Sequence, residues 1–389
     1  MAYISSKANR FYTALESAFG QVAAVRAADR IPAIKLTVRQ QMETGDRKDK
    51  TGSRTWAGLP PGGRRRTDWD LRTYMTGWSD TAQEPAYGPL FRACLGGEPL
   101  IGGAGTAGAG SQGTTLAFAA PHNLVPGQAV TFNGEIRFVA AVGSSTSVTL
   151  NAPFSTNPGS GAALGKTCTY FPATELPSAS IFDYWSPSTA VQRIVSGAAV
   201  NKLSVQVNGD FHEFQFTGLA RDVVDSSSFS AGMSELTSFP TEPELGQFDY
   251  SIVPGHMGQA WLGSTPEQFF TITNATFVVD NGLDLRAKEF GSNVPKCISP
   301  GQRTVSVDFS LYQLDDEATK GLYQAARQGS PINVMFQLGE QGGELMGVYL
   351  KSVLPEVPEF DDSDARLQWR FRSSRAQGTI DDEIAVAFG

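Results

Sequence analysis

Residues 60–71 read PPGGRRRTDWDL and residues 299–311 read SPGQRTVSVDFSL, and these two stretches decide the fold class. In each, a Pro/Gly turn is followed by a basic residue and then by apolar residues that alternate with polar ones. The D-aromatic-x-L motifs at 68–71 and 308–311 are 240 residues apart. Alternation with a period of two predicts β-strands with one buried face. The repetition predicts that the chain carries the same β domain twice.

Three further blocks repeat in the same order. Residues 34–38 and 275–279 predict strands 241 residues apart, and GPLFRAC at 88–94 and KGLYQAA at 320–326 predict helices 232 apart. The closing strands, FQF at 214–216 and WRF at 369–371, are 155 apart. The fall from 232 to 155 indicates that a segment of 77 residues interrupts the first copy.

The interrupting segment predicts a small all-β module. It begins with GGAGTAGAGSQG at 102–113, which its glycine content predicts to be a flexible joint. Short strand patterns follow at 116–118, 128–132, 136–142 and 147–150, and an Asn-Gly pair at 133–134 predicts a hairpin. Separately, residues 6–19 predict a helix, because Phe11, Leu15 and Phe19 recur at helical spacing.

Composition limits the classes of function. The 389 residues carry a net charge of −8, which disfavours general adhesion to nucleic acid. Residues 1–100 nevertheless contain 15 Lys/Arg and 10 Asp/Glu, whereas the rest of the chain is acidic. This asymmetry indicates either an uneven solvated surface or a basic face that meets an acidic face on another copy. The first residues show no apolar signal segment, and no run is long enough to span a membrane.

Catalytic and metal-binding patterns are weak. His122, His212 and His256 have no sequence neighbours at triad or metal-ligand spacing. We expect His212 to be a partly buried structural histidine. The glycines of residues 103–108 fit a dinucleotide fingerprint only literally, since no strand–helix context surrounds them. Three widely spaced cysteines predict packed, reduced thiols. We therefore expect no catalytic residues, no metal and no cofactor, and we interpret the acidic runs at 361–364 and 381–383 as solvated turns.

The loop between residues 39 and 66 is unusually long and basic. Loops of this length inside a compact domain are commonly functional or disordered. Trp56 and a Pro-Pro pair give it material to pack, which favours an ordered arm that docks on a neighbouring molecule. Contact with nucleic acid and a merely mobile loop remain alternatives. The arm residues that carry this prediction are Arg47, Lys48, Lys50, Arg54 and Trp56.

The ordered set of motifs resembles the tail tube proteins (major tail proteins) of long-tailed bacteriophages. RRTDWDLRTYMTG with EPAYGPLFRACLG resembles their strand-to-helix region, and HEFQFTGLARD resembles their closing strand. The resemblance implies a mainly β fold: two tandem β-sandwich or half-barrel domains, each with a short flanking helix. The first is expected at 1–101 with 171–240 and the second at 241–389. The inserted β module is expected at 102–170.

The same resemblance implies a structural virion protein without catalytic activity. It would be made in the cytoplasm of the bacterial host and assembled into the virion tail. Its partners would be further copies of itself, other phage tail proteins, and double-stranded DNA that passes through the lumen during ejection without specific binding. Two domains per chain imply trimeric rings with pseudo-sixfold symmetry, although a plain hexamer stays open.

Two details of the assembly follow as expectations. The basic arm would stack on an acidic rim of the adjacent ring, with Asp361, Asp362 and Asp364 as its partners. An acidic lumen would repel phosphate and let DNA slide. The alternative function is a surface-binding tail module that recognises a host glycan through the inserted β module. An enzyme is the least favoured class.

Overall fold

The protein is mainly β. The structure, a computed structural model, describes residues 3–43, 48–56, 58, 63–78, 82–246, 251–285 and 288–389. Within these ranges there are two α-helices, and neither is long and apolar enough to cross a bilayer.

Most strands up to residue 225 belong to one antiparallel unit interrupted by a separate module. Before the module the elements are β1 (Asn9–Leu15), β2 (Arg30–Ile31), β3 (Ala33–Glu43), β4 (Arg64–Tyr74), α1 (Gly88–Leu95) and β5 (Leu100–Gly102). The module contains β6 (Gly105–Thr106), β7 (Thr115–Ala117), β8 (Ala129–Phe132), β9 (Glu135–Ser144), β10 (Ser147–Leu150) and β11 (Ala163–Leu164). After it come β12 (Thr167–Tyr170), β13 (Ala179–Trp185), β14 (Arg193–Val207), β15 (Glu213–Ala220) and β16 (Asp222–Asp225).

The remaining strands form a second antiparallel unit. Its first elements are β17 (Gly258–Gly263), β18 (Glu267–Gln268), β19 (Ile272–Asp280), β20 (Asp284–Leu285), β21 (Ile298–Ser299), β22 (Thr304–Tyr312) and α2 (Glu317–Gln328). They are followed by β23 (Ile332–Leu338), β24 (Met346–Leu354), β25 (Glu359–Asp361), β26 (Gln368–Ala376) and β27 (Ala385–Phe388). Short 3-10 turns occur at Ala27–Asp29 and Met233–Glu235.

Six strands of each half pair in the same order. In the first half the order is β3-β4-β15-β14-β13-β1, and in the second it is β19-β22-β26-β24-β23-β17. The strands also follow one another along the chain in the same sequence, with the α-helix between the third and fourth of them. The four strand and helix blocks that repeat in the sequence are therefore present in both halves.

The pairing register corrects the spacing of the repeat. β3 has an irregularity just after Ala33 and β19 has one just after Ile272, so these strands correspond with a spacing of 239, not 241. The next pairs along the two ladders are Lys35 with Arg72 and Asn274 with Ser310. Arg72 therefore corresponds to Ser310, and the strands with the D-aromatic-x-L motifs are 238 residues apart instead of 240. The sequence repeat was thus two residues out of register. A period-two pattern is unchanged by a shift of two, so the buried face was still assigned correctly.

The main core lies between the sheets and the two helices. Helix α1 is buried on nearly every side, and its Phe91 packs edge-on against Phe214, Phe216 and Phe388 at centroid distances of 5.2–5.3 Å. Phe388 comes from the last strand, β27, which pairs with β12 and β24. The C-terminal strand therefore joins the two halves through the core of the first.

Helix α2 begins and ends as its sequence indicates. The side chain of Asp316 accepts a hydrogen bond of 2.6 Å from the Thr319 N–H, and Gly329 adopts the left-handed conformation beyond the last turn. Helical spacing predicts that Leu314, Ala318, Leu322 and Ala325 form its apolar stripe, and this prediction is only partly right. Leu314 precedes the helix and is exposed, whereas Leu322 and Ala326 are the apolar residues that the helix buries.

The N-terminal segment is a strand, so the predicted helix at 6–19 is wrong. β1 pairs with β13 over seven residues, and both of its faces are buried, since Phe11 enters the main core and Tyr12 a second cluster. Residues buried on both faces show no alternation, and here the spacing of Phe11 and Leu15 resembled that of a helix.

Beyond the strand, buried Glu16 accepts hydrogen bonds from Gly20, Ser178, Ser180 and Gly197, although burial still raises the pKa of its carboxyl group.

The inserted module has the predicted strands but is not on a flexible joint. Its sheet has the order β7-β10-β9-β8 and its own apolar core. The glycine-rich entry is ordered by pairing: β5 pairs with β12, and β6 pairs with β11. Backbone hydrogen bonds within β-sheets override the flexibility that glycine content alone predicted.

The module docks on the second half through a buried interface. Phe138 stacks on Tyr349 at 5.3 Å, within a cluster that also contains Ile136, Trp261 and Met335. Beside it lies Arg137, whose side chain is fully buried. Its guanidinium group donates to Glu135 at 2.8 Å within the module, and to Gln259 at 2.8 Å and Gln337 at 3.1 Å in the second half. The two units are held together by apolar packing and by this polar network.

Candidate functional site: two open sheet edges

The two halves of the chain are joined edge to edge by β14 and β19. These strands pair antiparallel over six residues each, from Lys202 opposite Asp280 to Val207 opposite Ala275. The ladder continues to the Asn281 N–H, which donates to the Asn201 carbonyl at 2.8 Å. We call this pairing the internal seam. It unites strands of both halves in one sheet with the order β3-β4-β15-β14-β19-β22-β26-β25.

In the described part of the chain, the outer edge of each end strand of this sheet has no paired strand. Each of these two end strands corresponds to one of the two strands that pair in the internal seam. At one end lies β3, which occupies in the first half the place that β19 has in the second. At the other end lie residues 357–362, which correspond to residues 202–207 of β14, because both segments face the closing strand, β26 or β15, in the same register. The single chain thus carries, at opposite ends of one sheet, the counterparts of both strands of the internal seam.

Burial supports the correspondence. Val205 in the internal seam is 2% exposed, whereas Phe360, its counterpart at the open end, is 58% exposed. Phe360 stacks on Trp369 at 5.4 Å and contacts Tyr323 at 5.9 Å, yet most of its side chain stays exposed, as expected for a residue of an edge strand. Pro358 lies directly before β25, two residues before Phe360, and proline at such a position is typical of an edge strand. The position that is buried at Val205 is therefore exposed at Phe360.

Charges on the two open edges are complementary. If residues 357–362 met β3 in the register of the internal seam, Glu359 would lie opposite Arg39, and Asp361 would lie diagonally between Lys35 and Arg39. Cross-strand pairs of opposite charge stabilise antiparallel sheets. The internal seam has the same feature in Lys202 opposite Asp280.

The acidic residues predicted as stacking partners lie at one of these edges. Asp361 ends β25 and pairs with Arg370, and hydrogen bonds from Ser363 together with this pairing hold its pKa below the ordinary value. Asp362 and Asp364 are exposed in the adjoining turn. Their place favours contact with the edge of a neighbouring sheet, which sequence reasoning did not consider.

The arm residues that the structure describes, Lys48, Lys50, Arg54 and Trp56, are brought together neither with one another nor with these acidic residues. Lys48, Lys50 and Arg54 are exposed, and the Trp56 side chain is 70% exposed. Arg47 lies outside the described residues. The loop is shorter than predicted, because β3 continues to Glu43 and pairs there with Arg64. At the base of the loop, the Arg65 N–H donates a hydrogen bond of 2.8 Å to the Asn293 carbonyl.

Sequence reasoning missed the edge residues Lys35, Arg39, Glu359 and Phe360. The available signals were the basic residues alternating along β3 and the VPEF segment at 357–360, where proline next to apolar residues predicts an edge strand. Neither signal shows which edge matches which, because that depends on the internal seam.

No constellation for catalysis or metal binding stands out in the described ranges. No group of three or more metal-ligating side chains converges there. His212 is fully buried as a structural histidine, with its Nε2 bonded to the Met257 carbonyl at 2.9 Å, and burial lowers its pKa. The acidic residues 381–383 are tied by ion pairs to Arg303 and Lys351. Cys94 and Cys168 are buried free thiols, as predicted, whereas Cys297 is half-buried.

Comparisons with known proteins do not place the chain in a family. No protein-family model matches it, and no curated protein matches it significantly. The function therefore has to be inferred from the sheet edges and the sequence motifs.

Proposed function

We propose that the chain is a structural subunit of a bacteriophage tail tube, in which the two units are tandem copies of one tail-tube domain. The observation that carries the proposal is the internal seam, whose two sides recur as open edges at the ends of the same sheet. Such an edge pairing is heterologous, so repeating it builds either a closed ring or a helical filament. A closed ring pairs the exposed edges that make a lone sheet prone to aggregation.

Within this proposal, three chains would form one ring. Each chain already contains two domains joined by one seam, so three chains give six domains and six similar seams. The sequence motifs resembling tail tube proteins supply the choice of a ring over an open filament. Stacked rings would then make the conduit for DNA ejection in the virion tail.

The polar face of the joined sheet would line the conduit. Its side chains alternate with the core residues, and they carry both signs, including Asp68, Asp70 and Glu213 beside Arg72 and Lys202. Several are paired, such as Arg66 with Asp68 at 3.1 Å. A continuous basic surface would hold DNA through many phosphate contacts. A mixed face offers no such surface, which suits passage of DNA better than binding, although it is less acidic than the sequence suggested.

The basic arm is proposed to stack rings. Replacing Arg47, Lys48 and Lys50 by glutamate should leave the fold and single rings intact and stop their growth into tubes, because the arm would lose its attraction to an acidic surface. Electron microscopy of the variant measures the result. Native tubes should also shorten as salt rises, since exposed charges are screened. Tubes of normal length from the variant would exclude electrostatic stacking.

The alternative, a glycan-binding tail module, receives little support from the inserted module. Ligand pockets are lined mainly by apolar and aromatic side chains. The module's Phe118, Phe138 and Phe154 are buried, and none is presented to solvent as a platform for a sugar. Titration of host glycans onto the full chain tests this alternative, and saturable binding that is lost when the module is altered would favour it.

Negative-stain electron microscopy across a protein concentration series tests the proposed function. We expect rings or hollow tubes with three outer projections per layer, one from each inserted module. Six projections would keep the tube and replace the trimer by a hexamer of chains. Chains that stay monomeric at every concentration, also in the presence of a tail initiation complex, would contradict the proposal.

A further inference from the structure

A short segment before the second unit is wedged into the first. At the end of β4, the Met75 N–H donates to the His212 carbonyl at 2.9 Å, but the return bond is replaced by two others. The His212 N–H donates to the Val253 carbonyl at 3.2 Å, and the Val253 N–H donates to the Met75 carbonyl at 3.1 Å. Val253 is thereby inserted between the two diverging strands. Bridges from Ile252 to Thr76 and from Pro254 to Phe211 flank it.

Residues 252–254, which we call the wedge, complete the core at the end of the first unit. Val253 is 1% exposed and belongs to the main apolar cluster. Beneath it, Met75, Thr76 and His212 are all buried. The first unit therefore depends on a segment that leads into the next unit along the sheet.

The second unit has the same position without a wedge. Gln313 and Leu367 correspond to Met75 and His212, and the Gln313 N–H donates to the Leu367 carbonyl at the same distance, 2.9 Å. No return bond from the Leu367 N–H to the Gln313 carbonyl is formed in the described structure. Leu367 and Leu314 are 37% and 48% exposed, although their counterparts His212 and Thr76 are buried. Two leucines are thus exposed where the first unit has a cover.

The segment equivalent to the wedge lies before β1. In the first unit, Tyr12 of β1 pairs with Phe182 of β13. In the second unit, Trp261 of β17 pairs with Met335 of β23. Strands β1 and β17 therefore correspond with a spacing of 249 residues. Val253 therefore corresponds to Ile4, and Ile252 corresponds to Tyr3. In the single chain Ile4 is 49% exposed and Tyr3 is fully exposed. Both are apolar or aromatic, as a wedge requires.

We propose that residues 3–5 of one chain wedge into the second unit of a neighbouring chain, between Gln313 and Leu367, and cover Leu314. The occupant is a second copy of this chain, because the same edge-to-edge step that puts residues 252–255 against the first unit puts residues 3–6 of the next copy against the second unit. The inference rests on the proposed ring and adds a contact that the sheet edges do not contain. We call this apolar contact, between residues 3–5 of one chain and Leu314 and Leu367 of the next, the lock.

Substitution of one exposed residue tests the lock. The variant Ile4→Asp should raise the protein concentration needed for half-maximal ring assembly by about tenfold or more, because a buried apolar contact is replaced by a buried charge. Its melting temperature as a single chain should equal that of the native chain, since the residue is exposed there. Val125→Asp is the matched control, because Val125 is an equally exposed apolar residue of the inserted module and should leave assembly unchanged.

Cross-linking tests the geometry. In a Cys297→Ser background, the pair Ile4→Cys with Leu367→Cys should give disulfide-linked dimers and trimers on mild oxidation, whereas Ile4→Cys with Val125→Cys should give none. Cross-links with the first pair, together with weaker assembly of Ile4→Asp, support the inference.

The outcomes separate the lock from the ring. Native rings that form while Ile4→Asp assembles normally and the first cysteine pair fails to cross-link would overturn the lock and leave the proposed function standing. Cross-linking of residue 367 to another tail protein instead of to residue 4 would assign the position to a different occupant and also overturn it. A native chain that never assembles contradicts both proposals.

Discussion

Replacing Arg137 by methionine should lower the free energy of unfolding by about 3 to 5 kcal/mol, the usual cost of breaking a buried ion pair. The buried guanidinium group neutralises Glu135 and satisfies Gln259 and Gln337 across the interface between the module and the second half. Burial lowers the pKa of Arg137 to about 10, and the group stays charged at neutral pH. Urea denaturation followed by tryptophan fluorescence measures the loss, with Trp261 only 5.0 Å from the guanidinium group.

Two controls distinguish the network from a general effect. Arg375→Met removes an exposed arginine and should change stability by less than about 0.5 kcal/mol. Adding Glu135→Gln to Arg137→Met should recover part of the loss, because no uncompensated charge then remains. In native protein, burial raises the pKa of Glu135, but bonds from Gln259 and the charge of Arg137 outweigh it and leave the pKa low. The deficit of Arg137→Met should therefore shrink as acid protonates Glu135; a deficit independent of pH would contradict this account.

Reversing the charge of the β3 edge should weaken ring assembly by roughly one to two orders of magnitude without affecting the fold. In the double variant Lys35→Glu and Arg39→Glu, both new carboxylates would face Glu359 and Asp361 of the adjacent chain. Each like-charge contact across strands costs up to about 1 kcal/mol, and the native attraction is lost as well. Lys35 and Arg39 are exposed in the single chain, so its thermal unfolding should be unchanged. Sedimentation velocity across a concentration series measures assembly.

Mixing variants provides the decisive control for the seam. Chains with Glu359→Lys and Asp361→Lys should also assemble poorly, but an equimolar mixture with the first variant should recover part of the assembly at the restored seams. Recovery in the mixture alone identifies the two edges as partners. Normal assembly of the first variant by itself would exclude this register.

The sequence predicted the elements of the fold well where one face of a strand is buried. The alternation at 305–311 and the helix signals around Asp316 and Gly329 agree with the structure. It failed where both faces are buried, as in β1, because no alternation remains to distinguish a strand from a helix. It also misplaced the repeat by two residues, since bulges and pairing, not side-chain pattern, define the register.

The site was less accessible from the sequence than the fold. The arm is conspicuous because loop length and charge are local properties. The edges are not, because Lys35 and Glu359 are ordinary charged residues until the internal seam shows what each would face. Likewise, the exposure of Ile4 gains meaning only from its buried counterpart, Val253.

The internal seam also has a consequence for how assembly depends on protein concentration. Because the β14–β19 contact forms within one chain, half of the contacts between domains in the proposed six-domain ring would be made before any two molecules meet. Joining three such chains in one ring removes two sets of overall translational and rotational freedom, whereas joining six separate domains would remove five. Ring formation should then depend on about the third power of subunit concentration at equilibrium instead of the sixth. A chain built in this way could nucleate its tube at dilutions where a single-domain subunit would remain dispersed.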